Sequence, residues 1–401
     1  MARPGGQTMN SVPCQCCGSP NLQPLVGFAE IPLTGLFRCS ADMPLPRIDV
    51  TLEFCSQCGL VRQMAGSGPR EYVEVTRSTS LQFPVYVHAL IGKLRSSGIG
   101  PNDLVLEVGA NDGLFMTALR DAGFNNLVGV EPSQDLAAVA QAKGHTVVCD
   151  YFGPGLVPAL LAAHGPARAV ICRHTLEHVP QPDAFVAALA QCLDGGNALA
   201  LVEVPDGSAI PDLLNVYEFW DEHLFCFSPN NLARLLQRAG LQVVETVIQP
   251  HLETRNLLAW CKKADAIRVP DFNDEDSKCV ALWQRLPARW HAFKAGFSDA
   301  LAQAPSPVYA IGASHSQTNL INYAGVGKRV DFFIDDDPTK VGLFPPVAET
   351  RVAIVSTAQF EASAVGGTLV KTGFGYEKWT QKLCAHALAC GMTVVDPKDF
   401  I

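Results

Sequence analysis

The sequence predicts an α/β protein: a mostly parallel sheet covered by helices on both faces, followed by a second, smaller unit of the same kind. Three observations carry this expectation. Short apolar strands alternate with helical stretches from residue 104 onward. The first strand runs into a glycine-containing turn, LVLEVGANDG, at 104–113. A second strand–glycine–helix unit, VYAIGASHSQTNLINYAG, starts at Val308.

Composition limits the class. With 401 residues, 48% apolar and 17% charged, the chain can bury several cores and is too apolar for disorder. Three parts are expected, at 1–75, 76–265 and 266–401. A net charge of −9 and a pI near 5.6 argue against nucleic acid or an anionic membrane as partner, because such partners need basic patches. The start, MARPGGQTMNSVP, lacks the apolar core of a signal peptide. There is no run of about 18 apolar residues to span a bilayer. The expected location is cytoplasmic and the expected partner a small-molecule substrate. No motif speaks to the oligomeric state.

Fourteen cysteines are therefore expected as thiols, since the cytosol keeps them reduced. Eight of them, from Cys149 to Cys390, lie in apolar or mixed segments and read as buried and inert. The six before residue 60 differ. Cys14-Gln15-Cys16-Cys17-Gly18 and Cys55-Ser56-Gln57-Cys58-Gly59 each hold C-x-x-C followed by glycine. That spacing lets both thiolates face one ion, and two such knuckles form a closed zinc site. Zinc held by Cys14, Cys17, Cys55 and Cys58 would be structural, because four thiolates leave no open position. Redox-active or free thiols are the alternative. Cys16 competes with Cys14 as a ligand, but its spacing to Cys17 does not suit a knuckle. The 37-residue gap from Cys17 to Cys55 holds strand-like pieces at 22–28 and 48–54, which predict an inserted hairpin.

Residues 61–80 read as a polar linker leading to a helix at 83–96. Strands follow at 104–108, 126–131, 145–150, 168–173 and 198–204, with helices at 114–122, 134–143, 155–163 and 182–193. Ligands of such sheets lie beyond the carboxyl ends of the strands. Those ends carry Glu107, Gly109, Asn111 and Gly113, then Glu131 and Pro132, then Cys149 and Asp150, then Arg173 and His174. Glu131 stands 22 residues after Gly109, where an acid accepts hydrogen bonds from ribose hydroxyls. A dinucleotide-binding dehydrogenase is the structural competitor. Its turn is G-x-G-x-x-G, whereas here Asn111 sits in the middle of G-x-x-x-G.

The order E-x-G-x-N-x-G, then G-V-E-P-S, then a polar tip on the fourth strand resembles the class I S-adenosylmethionine-dependent methyltransferases. The resemblance implies that Glu131 binds the ribose and that Gly109 to Gly113 pack on the methionine and ribose of S-adenosyl-L-methionine. A cysteine-knuckle module, this domain and a further α/β domain together resemble the sugar C-methyltransferases of deoxysugar biosynthesis, over nearly the whole chain. The implied fold is a class I methyltransferase Rossmann-like sheet with an N-terminal zinc-binding module and a C-terminal Rossmann-like domain. The implied reaction methylates a carbon next to the ketone of a 4-keto nucleotide sugar.

The segment 203–228 carries the second resemblance. Glu222-His223 precedes F-C-F-S and a helix start, with Ser228 as N-cap and Pro229 in the first turn. The resemblance implies His223 as general base and His178 as an assisting histidine that hydrogen-bonds the enolate oxygen. Glu222 would orient the ring or bond the sugar. The family's tyrosine three residues before the histidine is Trp220 here, and an indole N–H donates but cannot ionise. Tyr217 is the nearby phenol on the substrate side. Asp206 and Asn215 are loop polars with no motif of their own.

Residues 241–249 and 255–263 predict an antiparallel pair closing the sheet, with His251 and Arg255 on the substrate side. A linker is expected at 266–278 and a helix at 279–303, its stripe of Trp283, Leu286, Trp290 and Phe293 facing a core. In the C-terminal unit, Gly312 to Ser316 open a helix N-terminus, which suits phosphate. Where the family often has lysine this chain reads SHSQ, so His315 or Ser316 would contact the substrate. Gly373 to Tyr376 is a second turn toward the same cleft. A methyltransferase acting on carbon or oxygen of a non-sugar secondary metabolite is the alternative. A non-catalytic zinc-containing binding protein is the reading of a different class.

Overall fold

The computed structural model describes residues 12–64, 83–251, 254–264, 268–372 and 377–401. The turn at Gly373 to Tyr376 lies outside the described residues, as does most of the 61–80 stretch. Among the described residues no helix is long and apolar enough to cross a membrane.

The cysteine knuckles flank a hairpin, as the gap predicts. β1 (Leu22–Pro32) and β2 (Arg47–Cys55) are antiparallel. Each knuckle closes alike: Gly18 N–H donates to the Cys14 carbonyl at 2.7 Å and Gly59 N–H to the Cys55 carbonyl at 2.9 Å. The expected linker begins differently. Val61–Gln63 form β3, which pairs with β2 and, across the chain, with β9 (Phe225–Cys226). A three-residue strand is too short for an alternation signal.

The central sheet follows the predicted alternation. After α1 (Phe83–Ser96) come β4 (Val105–Val108), α2 (Leu114–Asp121), β5 (Leu127–Val130), α3 (Gln134–Ala142), β6 (Thr146–Val148) and α4 (Val157–His164). Next are β7 (Ala169–Arg173), α5 (Pro182–Cys192), β8 (Leu199–Pro205) and α6 (Ala209–Leu213). After β9, α7 (Pro229–Arg238) precedes β10 (Leu241–His251) and β11 (Thr254–Lys263). The seven strands lie in the order β10-β11-β8-β7-β4-β5-β6. β10 and β11 are antiparallel to each other, and β11 is antiparallel to β8; the remaining neighbours are parallel. This is the class I methyltransferase order, with the ligand-facing ends of β4 and β7 side by side. Ser228 caps α7 through a reciprocal bond with Asn231, as the S-P start predicts.

The expected 266–278 linker is shorter than read, because α8 (Asp274–Gln303) starts inside it. Asn273 caps that helix onto Glu275 and Asp276 N–H groups, and three acids in its first turn favour its N-terminus. Buried Arg234 and Asp276 pair at 3.0 Å and clamp α7 to α8. The apolar stripe of α8 is core as expected, with Trp283, Leu286, Trp290 and Phe293 all buried. The C-terminal sheet is parallel throughout, in the order β14-β13-β12-β15-β16. Its elements are β12 (Val308–Ile311), α9 (His315–Ala324), β13 (Phe332–Ile334), β14 (Ile354–Val355), α10 (Thr357–Ser363), β15 (Thr368–Val370), α11 (Glu377–Ala389) and β16 (Thr393–Val395).

Candidate active site

The first turn is built around Glu131. Its carboxylate accepts Asn111 N–H at 2.8 Å and Ser133 N–H at 2.9 Å, so it ties the β4 turn to the end of β5. Gly109 has φ 80°, and a Cβ there would overlap Thr175 Oγ1 from the loop after β7. Gly113 precedes α2, where a Cβ would press on His145 and Ala140. Glu107 is 4% exposed and its Oε2 accepts no hydrogen bond. Burial pushes its carboxyl up to about 8, against the pull of Arg173. A narrow turn, a ribose-type acid and a buried unpaired carboxyl oxygen fit a cationic nucleoside such as S-adenosylmethionine. Asp150 is exposed at the tip of β6 with its Oδ1 on Tyr151 N–H, and Pro132 is half-buried beside Glu131.

The second cluster joins three segments. His178 lies in the short 3-10 turn after β7, Trp220 and His223 in the loop before β9, and His315 at the first turn of α9. The rings of His178 and His223 are 5.0 Å apart, Trp220 and His223 4.7 Å, and His315 stacks on Trp220 at 4.9 Å. His223 Nδ1 donates to the Glu218 carbonyl at 3.2 Å, and His178 Nδ1 to the Glu222 carbonyl at 2.8 Å. A carbonyl only accepts, so each neutral ring carries its lone pair on Nε2. Burial holds both histidines below their usual pKa, His223 well below, with His178 and His315 adding to the shift there.

The backbone carbonyls of Glu218 and Glu222 hold the Nδ1 atoms of His223 and His178. This geometry revises one expectation. Neutral His178 presents an acceptor at Nε2, so it does not supply the donor expected for an enolate oxygen. Trp220 does hold such a donor: the ring is buried and its Nε1–H has no hydrogen-bond partner among the described residues. Tyr217 is buried in the apolar core, 4% exposed, and its carbonyl accepts from Asn319 at 3.3 Å. Ser316 is half-buried beside His315.

A small cleft opens on His223 and is lined by Asp206, Asn215, Glu218 and Arg255 among others. Burial raises the Glu218 carboxyl. Arg255, expected on this side, stands 2.9 Å from the fully buried Asp206 carboxylate. Behind the cleft, Glu203 is completely buried and accepts from Tyr86, from Arg173 at 2.9 Å and from Asn256 at 2.9 Å. His174 bridges Glu203 at 3.3 Å and Glu177 at 3.6 Å. Burial disfavours the Glu203 charge, yet Arg173 and His174 outweigh it and hold the carboxyl below its usual range. The Arg173 guanidinium also lies over the Tyr86 and Phe115 rings, so its charge is committed to this network. Sequence reasoning gave Asp206 and Asn215 no role and did not single out Glu177, Glu203 or Glu218. The strand-end rule applied to β8 points to Glu203 and Asp206.

The four predicted cysteines converge, with Cys14 and Cys58 sulfurs 3.6 Å apart, Cys17 and Cys55 likewise, and all four within 4.8 Å. The thiols are free, and a tetrahedral zinc–thiolate site places sulfurs about 3.8 Å apart. The cluster is able to hold a metal ion. Cys16 points away, to the Asn231 carbonyl at 2.9 Å. Of the later cysteines, Cys172, Cys192, Cys226, Cys261 and Cys279 are buried as expected, whereas Cys149 is exposed.

A model of a methyltransferase domain matches residues 86–246, and a model of the C-methyltransferase C-terminal domain matches 276–370. With the strand order, these matches give the chain the fold of a class I methyltransferase domain, and two of its parts are similar to the methyltransferase domain and the C-terminal domain of C-methyltransferases. The C-methyltransferase NovU of Streptomyces niveus is 28% identical over 246 residues, 58% of this chain and 56% of that protein. A ubiquinone biosynthesis O-methyltransferase of Xylella fastidiosa is 33% identical over 97 residues, 24% of this chain and 39% of that one. The chain thus spans about half the length of the first relative and less of the second. The magnesium protoporphyrin IX methyltransferase of Synechocystis PCC 6803, solved with its cofactor, shares 17% identity at a TM-score of 0.36, over 50% of this chain and 87% of that chain.

Proposed function

We propose that the protein methylates a carbon next to the ketone of a nucleotide-linked keto-deoxysugar. The observation that carries this reading is His223: buried, neutral, its Nδ1 fixed on the Glu218 carbonyl and its Nε2 lone pair kept as a base. Bound S-adenosylmethionine supplies the electrophilic methyl group. Glu131 holds the ribose, Glu107 faces the cationic end, and Gly109, Asn111 and Gly113 shape the turn between them. Pro132, Asp150 and Arg173 complete the expected cofactor set, Arg173 by fixing Glu203. His223 Nε2 takes the proton α to the ketone, and the Trp220 Nε1–H bonds the enolate oxygen that forms. His178 and Glu222 position this pair. His315 and Ser316 reach the acceptor from the C-terminal sheet, with Tyr217 behind them. Cys14, Cys17, Cys55 and Cys58 hold a structural zinc ion. The division at 1–75, 76–265 and 266–401 then separates zinc module, methyl-donor domain and acceptor domain.

The test replaces His223 by Ala and by Asn. Both variants are expected to lose about 100-fold or more in methyl transfer and in solvent exchange of the α-proton, the scale of general base catalysis. Normal rates in both overturn the assignment. Trp220→Phe is expected to lower kcat by roughly 100-fold with little change in KM, as loss of one oxyanion donor does. The depressed His223 pKa predicts a kcat/KM that stays flat as pH falls through the usual histidine range. An acid limb at or above neutrality speaks against His223.

A non-sugar acceptor is favoured by one observation: the Gln317 side chain fills the space over Gly312 in the turn that would take a nucleotide phosphate. Calorimetry with a nucleoside diphosphate separates the two readings, since only the sugar reading requires binding.

A further inference from the structure

Glu177, His178 and His223 each offer one ligand atom, and these atoms lie within 4.8 Å of one another. Glu177 is 1% exposed, and among the described residues neither carboxylate oxygen accepts a hydrogen bond. Its charged neighbour, His174 Nδ1, stands at 3.6 Å, beyond hydrogen-bond reach. Both imidazoles donate Nδ1–H to backbone carbonyls, which turns Nε2 into the ligand atom. Metal-binding histidines are oriented in this way, the second nitrogen held by a carbonyl or carboxylate. Two imidazoles and one carboxylate with an open position form a donor set for divalent transition metals. Tetrahedral zinc with ligands at about 2.1 Å holds its donors roughly 3.4 Å apart.

We propose that zinc or a similar divalent ion binds Glu177, His178 and His223 and thereby inhibits the enzyme. The inference rests on the reading of His223 as base. The Nε2 lone pair that takes the substrate proton is the one that binds the ion, so occupancy and proton abstraction exclude each other. The site is chemically separate from the four-cysteine cluster. It is built from nitrogen and oxygen with an open position, so its ion exchanges, whereas four thiolates close around theirs.

The experiment titrates the full-length protein with Co²⁺ and Zn²⁺ and counts metal per chain by mass spectrometry. The cysteine-bound ion is told apart by its thiolate charge-transfer absorption. The expected result is a second equivalent without that absorption, weakened at least tenfold by Glu177→Gln and lost in His178→Ala. Zinc is then expected to inhibit methyl transfer competitively with the acceptor, and a chelator to restore the rate. One equivalent only, or a second one indifferent to both variants, overturns the proposal. If no second ion binds but His223→Ala abolishes α-proton exchange, the metal site falls and the base stands. If the ion binds as expected while His223→Ala exchanges normally, the base falls and so does the mode of inhibition.

Discussion

The two glycine turns of the molecule share one plan. In the central sheet, Gly109 N–H donates to the Val130 carbonyl at 2.9 Å; in the C-terminal sheet, Gly312 N–H donates to the Ile334 carbonyl at 2.7 Å. Glu131 follows β5 and bridges the N–H groups of Asn111 and Ser133. Asp335 follows β13 and bridges those of Ala313 and Asp337, both at 3.0 Å. The glycines have φ 80° and 86°. What differs is what fills the turn. α9 starts with a Ser314–Gln317 capping box, and Gln317 carbons lie 3.0–3.1 Å from where a Gly312 Cβ would be. α2 starts at Gly113 with no side-chain cap, and Glu107 beneath the turn keeps an unpaired oxygen. One backbone device thus serves as an open cradle in one sheet and as a closed support in the other. The closed one presents His315 to Trp220.

Paired substitutions break or sharpen this contrast. The largest effect is expected from Glu131→Ala, which removes two charge-assisted backbone bonds of about 1.5 kcal/mol each and should weaken S-adenosylhomocysteine on the order of 100-fold. Asp335→Ala should lower thermal stability and leave that affinity intact in calorimetry. Equal losses of affinity would dissolve the distinction between the turns. Next, Gly109→Ala should cost about 1–2 kcal/mol from its positive φ alone, and the overlap with Thr175 should also impair cofactor binding. Gly312→Ala meets only the flexible Gln317, so a denaturation curve should show the smaller change and titration none. The smallest effect concerns pH. The Glu107 carboxyl is raised to about 8 by burial, so its contribution to stability is complete below the unfolded-state pKa and is lost as pH rises through about 8. Glu107→Gln should flatten the fall of Tm over that window. A parallel fall in both proteins would remove Glu107 as its source.

The sheet was legible because strands buried on both faces must alternate with helices, and Glu131 stood out because an acid at that spacing suits a nucleoside. The histidine cluster was legible only in part. Glu222-His223 and His178 stood out by resemblance, but Glu218 holds His223 through its carbonyl, and backbone atoms carry no residue signature. Glu177 and Glu203 gain meaning only when β7 and β8 lie side by side. The early start of α8 was hidden in an acidic stretch whose charges read as linker, although Asn273 and Asp276 form a capping box. β3 escaped notice because its pairing partner at Phe225 is remote.

That remote pairing has a consequence for how the chain comes into being. Arg62 sits opposite Phe225 in the four-stranded sheet, and Gln63 N–H bonds the Leu224 carbonyl, next to His223. On the ribosome, the cysteine module is made early, but its last strand emerges 163 residues after Arg62. At ordinary synthesis rates this delay is on the order of ten seconds. The module must wait with an open edge until the loop carrying His223 arrives, and the sheet that closes then fixes that loop in the same event.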